Sequence, residues 1–296
     1  MFELTLTLRP DQQAAVEAAL EDVGALSITL LDADADTGNE QAILEPAVGE
    51  TPLWPTIALA ALFEDGVDRN GLVHVLGEFL PELAPEQIGF REVEEQDWTR
   101  VWMDRFQPMR FGERLWIHPW NIEPPDDDSR VVVRLDPGLA FGTGTHPTTA
   151  LCLEWLDGAV LEDREVIDYG CGSGVLAIAA ARLGARHVLA IDNDPQALLA
   201  TLDNAARNGV AAEITVAAPG NGDGAPVDVL LANILAGPLH ELAPLFATRV
   251  KPGGALVLSG ILAGQAAELC ARYAEWFDDL VVVQREDWVR IAGIRG

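Results

Sequence analysis

Val166-Ile167-Asp168-Tyr169-Gly170-Cys171-Gly172-Ser173-Gly174 decides how this chain is read. An apolar run around an acid enters three alternating glycines, and Val175 to Ala181 continues as small and aliphatic residues suited to a helix. Strand, tight glycine turn and helix in that order make the first unit of a nucleotide-binding sheet. The backbone must turn sharply there and admit a ligand where a Cβ would collide. His187-Val188-Leu189-Ala190-Ile191 reads as the next strand, and Asp192 at its end is placed to accept hydrogen bonds from two ribose hydroxyls.

The glycine spacing separates two cofactors. A dinucleotide site uses Gly-x-Gly-x-x-Gly, with a helix N-terminus facing a pyrophosphate. Here the spacing is Gly-x-Gly-x-Gly, with Asp168 two residues ahead of it. An acid at the mouth of the turn repels phosphate and suits a ligand that carries an amino group. Asp-x-Gly-x-Gly-x-Gly followed by an acidic strand end resembles the class I methyltransferases, which bind S-adenosylmethionine. A purely structural glycine turn is the alternative reading of the loop taken alone.

Composition narrows the partners. At 296 residues the chain is expected to hold two domains. No apolar run reaches membrane-spanning length, and the N-terminus lacks the basic and apolar regions of a signal peptide. Cys152, Cys171 and Cys270 are widely separated, with no metal or redox spacing, so a cytoplasmic setting and no metal are expected. The net charge is −28; residues 1–97 hold 21 acids against Arg9, Arg69 and Arg91. Such a field disfavours direct nucleic-acid binding and favours basic partners. Lys251 is the single lysine, so adaptation to salt accounts for the composition equally well.

The first ninety residues read as a small α+β domain. Phe2 to Leu8 alternates with period two. A helix follows Pro10 and stops at Gly24, and Leu26–Leu31 is a second strand. The acidic stretch Asp32 to Pro55 is mostly loop. Strand Thr56–Phe63, helix Gly71–Leu80 and strand Ile88–Val93 complete the order βαββαβ, which suggests a ferredoxin-like sandwich over residues 1–93 with a recognition role. Residues 94–112 are expected to be a linker with a short helix, striped by Trp98, Trp102 and Phe106 four apart. Residues 113–296 alternate strands and helices, which predicts an α/β, doubly wound, mostly parallel sheet.

A second distinctive stretch, Phe141-Gly142-Thr143-Gly144-Thr145-His146-Pro147-Thr148-Thr149, precedes the cofactor strand. Pro147 suits the first position of a helix, with Thr145 or His146 as its cap. Further on, the buried strand Val227 to Ala232 ends in Asn233-Ile234-Leu235-Ala236. Ligands of open α/β sheets lie beyond the carboxyl ends of the strands, so Asn233 falls where a reaction should occur. Together with Asp168 to Gly174, these runs resemble the methyltransferases that modify large-subunit ribosomal protein eleven, across nearly the whole chain.

That resemblance implies a seven-stranded class I methyltransferase sheet behind the small domain, and transfer of methyl groups to lysine side chains and the α-amine of this basic ribosomal protein. It assigns Thr149, Gly170, Asp192 and Asn233 to the cofactor. Asp168 and Gly170 are expected at its methionine end, with Gly172 in the same turn. Phe141 and His146 sit on a loop able to close over the sulfonium. Asn233 is the candidate catalytic residue, by orienting the amine. Related amine methyltransferases often carry Asn-Pro-Pro-Tyr there, and this chain lacks that aromatic. Three other readings stay open: a methyltransferase for RNA or a small molecule, a nicotinamide-dependent oxidoreductase, and a non-catalytic cofactor-binding module. The oligomeric state is not given by the sequence.

Overall fold

The computed structural model describes residues 1–35, 37, 52–80, 88–93, 107–127, 129–135, 146–220 and 224–296. The stripe of Trp98, Trp102 and Phe106 and the loop 136–145 that carries Phe141 lie outside the described residues. The chain divides into two compact units, Met1–Asp97 and Trp98–Gly296.

The first unit contains β1 (Phe2–Leu8), α1 (Pro10–Asp22), β2 (Ser27–Asp32), β3 (Ile57–Phe63), α2 (Arg69–Phe79) and β4 (Gly89–Glu92). Its four strands lie in the order β2-β3-β1-β4, each antiparallel to its neighbours. Each helix therefore joins two parallel strands that have a third strand between them. The period-two pattern of β1 buries Phe2, Leu4, Leu6 and Leu8 opposite Phe63, Ala61, Leu59 and Ile57. The rings of Phe2 and Phe63 stack at 5.5 Å. Val16 and Leu20 of α1 and Leu72 and Leu76 of α2 close this core. Each such aliphatic or aromatic side chain contributes about 1.5–3 kcal/mol by leaving water. Asp68 caps α2 by accepting the Asn70 N–H at 3.0 Å.

The second unit opens with β5 (Met109–Phe111), β6 (Leu115–His118) and β7 (Val131–Arg134), a three-stranded sheet of its own. β5 falls within the stretch expected to be linker. There follow α3 (Pro147–Gly158), β8 (Glu165–Tyr169), α4 (Val175–Arg182), β9 (His187–Ile191), α5 (Pro195–Arg207), β10 (Ile214–Ala217) and β11 (Val227–Asn233). The chain ends with α6 (Ala236–Arg249), β12 (Val250–Leu262), α7 (Ala266–Tyr273), β13 (Phe277–Arg285) and β14 (Trp288–Arg295).

The main sheet has the order β10-β9-β8-β11-β12-β14-β13. The first five strands are parallel, and β14 runs antiparallel to both β12 and β13. Alternate residues serve opposite faces. Val166, Val229, Leu231 and Val257 pack with α3 and α4. Ile167, Leu230, Ala232, Leu256 and Leu258 pack with α6 and α7. Strands buried on both faces account for the unbroken apolar runs in the sequence. Sequence spacing predicts a turn at Pro252-Gly253-Gly254 and a strand starting at Ala255, whereas β12 runs on from Val250. Both flanks of that turn pair with β11, Val250 with Val227 and Ala255 with Val229, so the turn is an irregularity inside one strand.

Candidate active site at the carboxyl edge of the main sheet

Asp168 is the last residue but one of β8, and the glycine turn that follows is held by main-chain bonds. The N–H groups of Gly170 and Cys171 donate to Ile191 O at 2.7 and 3.0 Å, which ties the turn to the end of β9. Gly172 N–H donates to Asp192 Oδ2 at 2.9 Å, and Asp194 N–H donates to Asp192 Oδ1 at 3.0 Å. From α5, Thr201 Oγ1 donates to Gly172 O at 3.1 Å and Asn204 Nδ2 to Ser173 O at 2.9 Å. The shape of the turn is thus set before any ligand arrives.

Gly174, at the N-cap of α4, has no side chain with which to cap it. Asp168 supplies that group from the strand: its Oδ2 accepts the Ala177 N–H at 3.0 Å. The carboxyl is fully buried, and its Oδ1 has no hydrogen-bond partner among the described residues. Burial pushes its pKa up to about 7; the Ala177 N–H pulls it down and the charge of Asp192 adds to the rise.

α3 starts beside the turn. Pro147 occupies its first position, and His146 is the N-cap residue, its Nδ1 accepting the Thr148 N–H at 3.4 Å and lying 2.8 Å from Thr148 Oγ1. Burial lowers the pKa of His146 against an opposing pull from Glu286, so the imidazole is neutral around pH 7. Thr149 is fully buried, and Asn233 Nδ2 donates to its Oγ1 at 3.2 Å. The other amide atom, Asn233 Oδ1, is buried with no partner among the described residues.

Asp168, Gly170, Gly172, Asp192, His146, Thr149 and Asn233 therefore gather at the carboxyl ends of β8, β9 and β11 and the start of α3. Phe141 lies outside the described residues. The sequence reading did not single out Trp288, whose ring meets that of His146 edge-on with centroids 4.9 Å apart. It comes from the start of β14, opposite Leu262, and short-range spacing carries no signal for a contact between residues so distant in the chain. Among the described residues no group of His, Cys, Asp or Glu is arranged to hold a metal ion. None of their helices is long and apolar enough to cross a membrane.

Two buried acceptors on adjacent strands, Asp168 Oδ1 and Asn233 Oδ1, lack donors within the described protein. Such atoms are costly to bury unless a ligand supplies the missing N–H. The set fits a ligand bearing an ammonium group on the β8 side and an amine on the β11 side.

Comparison with known proteins gives the family. The family described as "Ribosomal protein L11 methyltransferase (PrmA)" matches residues 1–295. The chain belongs to this family. Curated relatives of the same name include one from Stenotrophomonas maltophilia (strain K279a), 56% identical over 301 residues and covering 99% of this chain and 98% of its own. Another, from Xanthomonas axonopodis pv. citri (strain 306), is 53% identical with the same coverage. Among solved structures, the ribosomal protein L11 methylase of Lactobacillus delbrueckii subsp. bulgaricus is 34% identical, covers 64% of this chain and 99% of its own, and superposes with a TM-score of 0.59. The main sheet of this family member is an α/β sheet of the class I methyltransferase kind.

Proposed function

We propose that the chain transfers methyl groups from S-adenosylmethionine to amino groups, lysine side chains and the α-amine, of large-subunit ribosomal protein L11. The family match over residues 1–295 carries this reading, and the two acceptors at the strand ends that lack partners among the described residues give it a chemistry. The cofactor supplies a methyl group already activated on a sulfonium.

The rest of the work falls to alignment and exclusion of water. Asp168 and the glycine turn through Gly170 and Gly172 hold the methionine end, with the Asp168 carboxylate facing its ammonium. Asp192 accepts from the ribose hydroxyls. His146 would face the sulfonium, with the Trp288 ring edge-on to it, and Phe141 is the candidate on the preceding loop for the same role. Asn233 Oδ1 accepts an N–H of the attacking amine, while Asn233 Nδ2 donates to Thr149 Oγ1 and so ties the side chain to α3. A substrate lysine has an unperturbed pKa of about 10.4 and must shed a proton before it attacks. A dry site favours the neutral amine by disfavouring its charged form.

Residues 1–93 are read as a ferredoxin-like recognition domain, on the strand order β2-β3-β1-β4 and its two split βαβ crossings. The methyltransferase domain is read as starting ahead of the expected boundary at 113, because β5 (Met109–Phe111) pairs with β6 in its small sheet. The acidic excess of residues 1–97 suits a basic protein and disfavours direct contact with nucleic acid. Free cysteines at 152, 171 and 270 suit the cytoplasm.

The test is incubation of the purified protein with methyl-labelled cofactor and, separately, purified L11 and ribosomal RNA. Label on amino groups of L11, located by mass spectrometry, is the expected result. Label on RNA alone, or on neither, overturns the reading.

A further inference from the structure

Two glycines, one in the turn after β8 and one in β12, close on one residue, Ile234. A Cβ added to Gly170, whose φ is +82°, would lie 2.2 Å from Ile234 Cγ2. A Cβ added to Gly260, whose φ is also +82°, would lie 2.3 Å from Ile234 O, 2.7 Å from its carbonyl carbon and 3.0 Å from its N. One contact is with the side chain and the other is with the main chain. Gly170 belongs to the cofactor turn, whereas Gly260 sits where the pairing of β12 with β14 shifts register between Leu258 and Ile261. A bulge of this kind bends a strand locally and re-aims what lies beside it. The bulge is anchored: Ser259 pairs with Asn233 across the parallel strands, and its buried Oγ donates to Val289 O at 3.0 Å.

We propose that Ile234 is a positioning residue for methyl transfer, a spacer wedged between Gly170 and Gly260 that sets the distance from the cofactor turn to Asn233. Its γ2 methyl group meets the turn that holds the donor. Its peptide follows directly on the amide that orients the acceptor, and the bulge at Gly260 stops that peptide from retreating toward β12. In-line attack requires the reacting atoms at about 3–3.5 Å, and an error of about 1 Å costs on the order of 10²-fold in rate. A β-branched side chain, whose χ1 is restricted, suits a spacer because its γ2 methyl group has little freedom to swing away. The inference rests on the reading of Asn233 given above.

Ile234→Val, Ile234→Leu, Ile234→Ala, Gly260→Ala and Asn233→Ala are compared by single-turnover methylation of L11 at saturating cofactor, by calorimetric cofactor affinity and by Tm. Ile234→Val keeps both γ carbons and retains the rate. Ile234→Leu and Ile234→Ala remove the branch that touches Gly170, and Gly260→Ala displaces the main chain. These three lose at least about tenfold in rate, with cofactor affinity held within about threefold, as expected for misplacement of reacting atoms. Unchanged rates in the folded Leu and Ala variants overturn the spacer. So does a cofactor affinity that falls in step with the rate, or an Ile234→Val as slow as Ile234→Ala. Should Asn233→Ala alone keep full rate, the reading of Asn233 fails and takes the spacer with it. Loss in Asn233→Ala with none in Ile234→Ala removes the spacer only.

Discussion

Asn233 and Thr149 are 84 residues apart in sequence, yet Asn233 Nδ2 donates to Thr149 Oγ1 at 3.2 Å. This bond joins the end of β11 to the first turn of α3 and leaves Asn233 Oδ1 as the amide atom without a partner among the described residues. Thr149→Val keeps the shape of the side chain and deletes the acceptor. A buried donor left unpaired costs about 1–3 kcal/mol, and rotation of the amide is the route by which it finds another partner. Thr149→Val should therefore slow single-turnover methylation by roughly 10-fold or more, the range that 1.4 kcal/mol per decade implies. Asn233→Ala should slow it by about 10²-fold. Quenched-flow mass spectrometry of L11 reports both; equal rates for wild type and Thr149→Val would show that the bond orients nothing.

Asp192 has two duties that one substitution removes together. Its Oδ2 holds the Gly172 N–H and its Oδ1 caps the turn into α5 through Asp194 N–H, while the ribose is its proposed ligand. Loss of charge-assisted hydrogen bonds costs about 1.5–3 kcal/mol, so Asp192→Ala should weaken cofactor binding by tenfold or more. Calorimetry with a folded variant decides it, and unchanged affinity would take Asp192 out of the site.

A stability prediction concerns Asp157, at the end of α3. Its buried carboxylate accepts the backbone N–H groups of Glu113, Arg114 and Leu115 at 2.6, 3.1 and 2.9 Å. The turn between β5 and β6 thereby gains three charge-assisted bonds from one side chain. Asp157→Ala strands the buried Leu115 N–H and leaves those of exposed Glu113 and Arg114 to water, so a loss of about 1–3 kcal/mol is expected. Urea denaturation should show a lower midpoint with an unchanged slope. A shift within about 0.5 kcal/mol, the range of ordinary surface changes, would contradict this account.

The parts of the molecule that were legible in sequence share a physical cause. Asp168, Asp192 and Asn233 each end an apolar run, and a strand buried on both faces writes such a run into local sequence. Pro147 after a polar cap, and Gly24 after α1, mark helix ends through backbone preference alone. What escaped depends on contacts between distant residues. β5 is three residues long, too short for any period, and forms because β6 and Asp157 receive it. Pro252-Gly253-Gly254 has the composition of a turn, and pairing on both flanks with β11 absorbs it into β12. Trp288 lies far along the chain from the His146 ring that it meets. The wedge of Ile234 between Gly170 and Gly260 likewise exists only once three chain segments converge.

Asp168 makes cofactor binding depend on pH, and the sign follows from its burial. Its pKa stands at about 7, raised by desolvation and by the charge of Asp192 and lowered by the Ala177 N–H. Near neutrality the free protein is thus a mixture of carboxylic acid and carboxylate. A ligand ammonium prefers the carboxylate, and the cationic ligand in turn favours the ionised form. Below pH 7 binding must first expel a proton, so affinity should fall toward tenfold per pH unit as the pH drops from about 7 toward 5.5, with one proton released per ligand bound. Above about pH 7.5 the carboxylate is already formed and this dependence should flatten. Cys171, pushed up to about 12, stays protonated throughout this window, and the Asp168→Asn variant separates the contribution of Asp168 from that of His146, whose pKa burial lowers. Asp168→Asn keeps an oxygen able to accept from Ala177 N–H but carries no charge. It should bind the cofactor more weakly at pH 8 and with almost no slope between pH 5.5 and 7.5. Calorimetry in two buffers of different ionisation enthalpy counts the protons directly. Wild-type affinity that stays level across that window, with no proton released, would show that Asp168 is ionised before the ligand arrives.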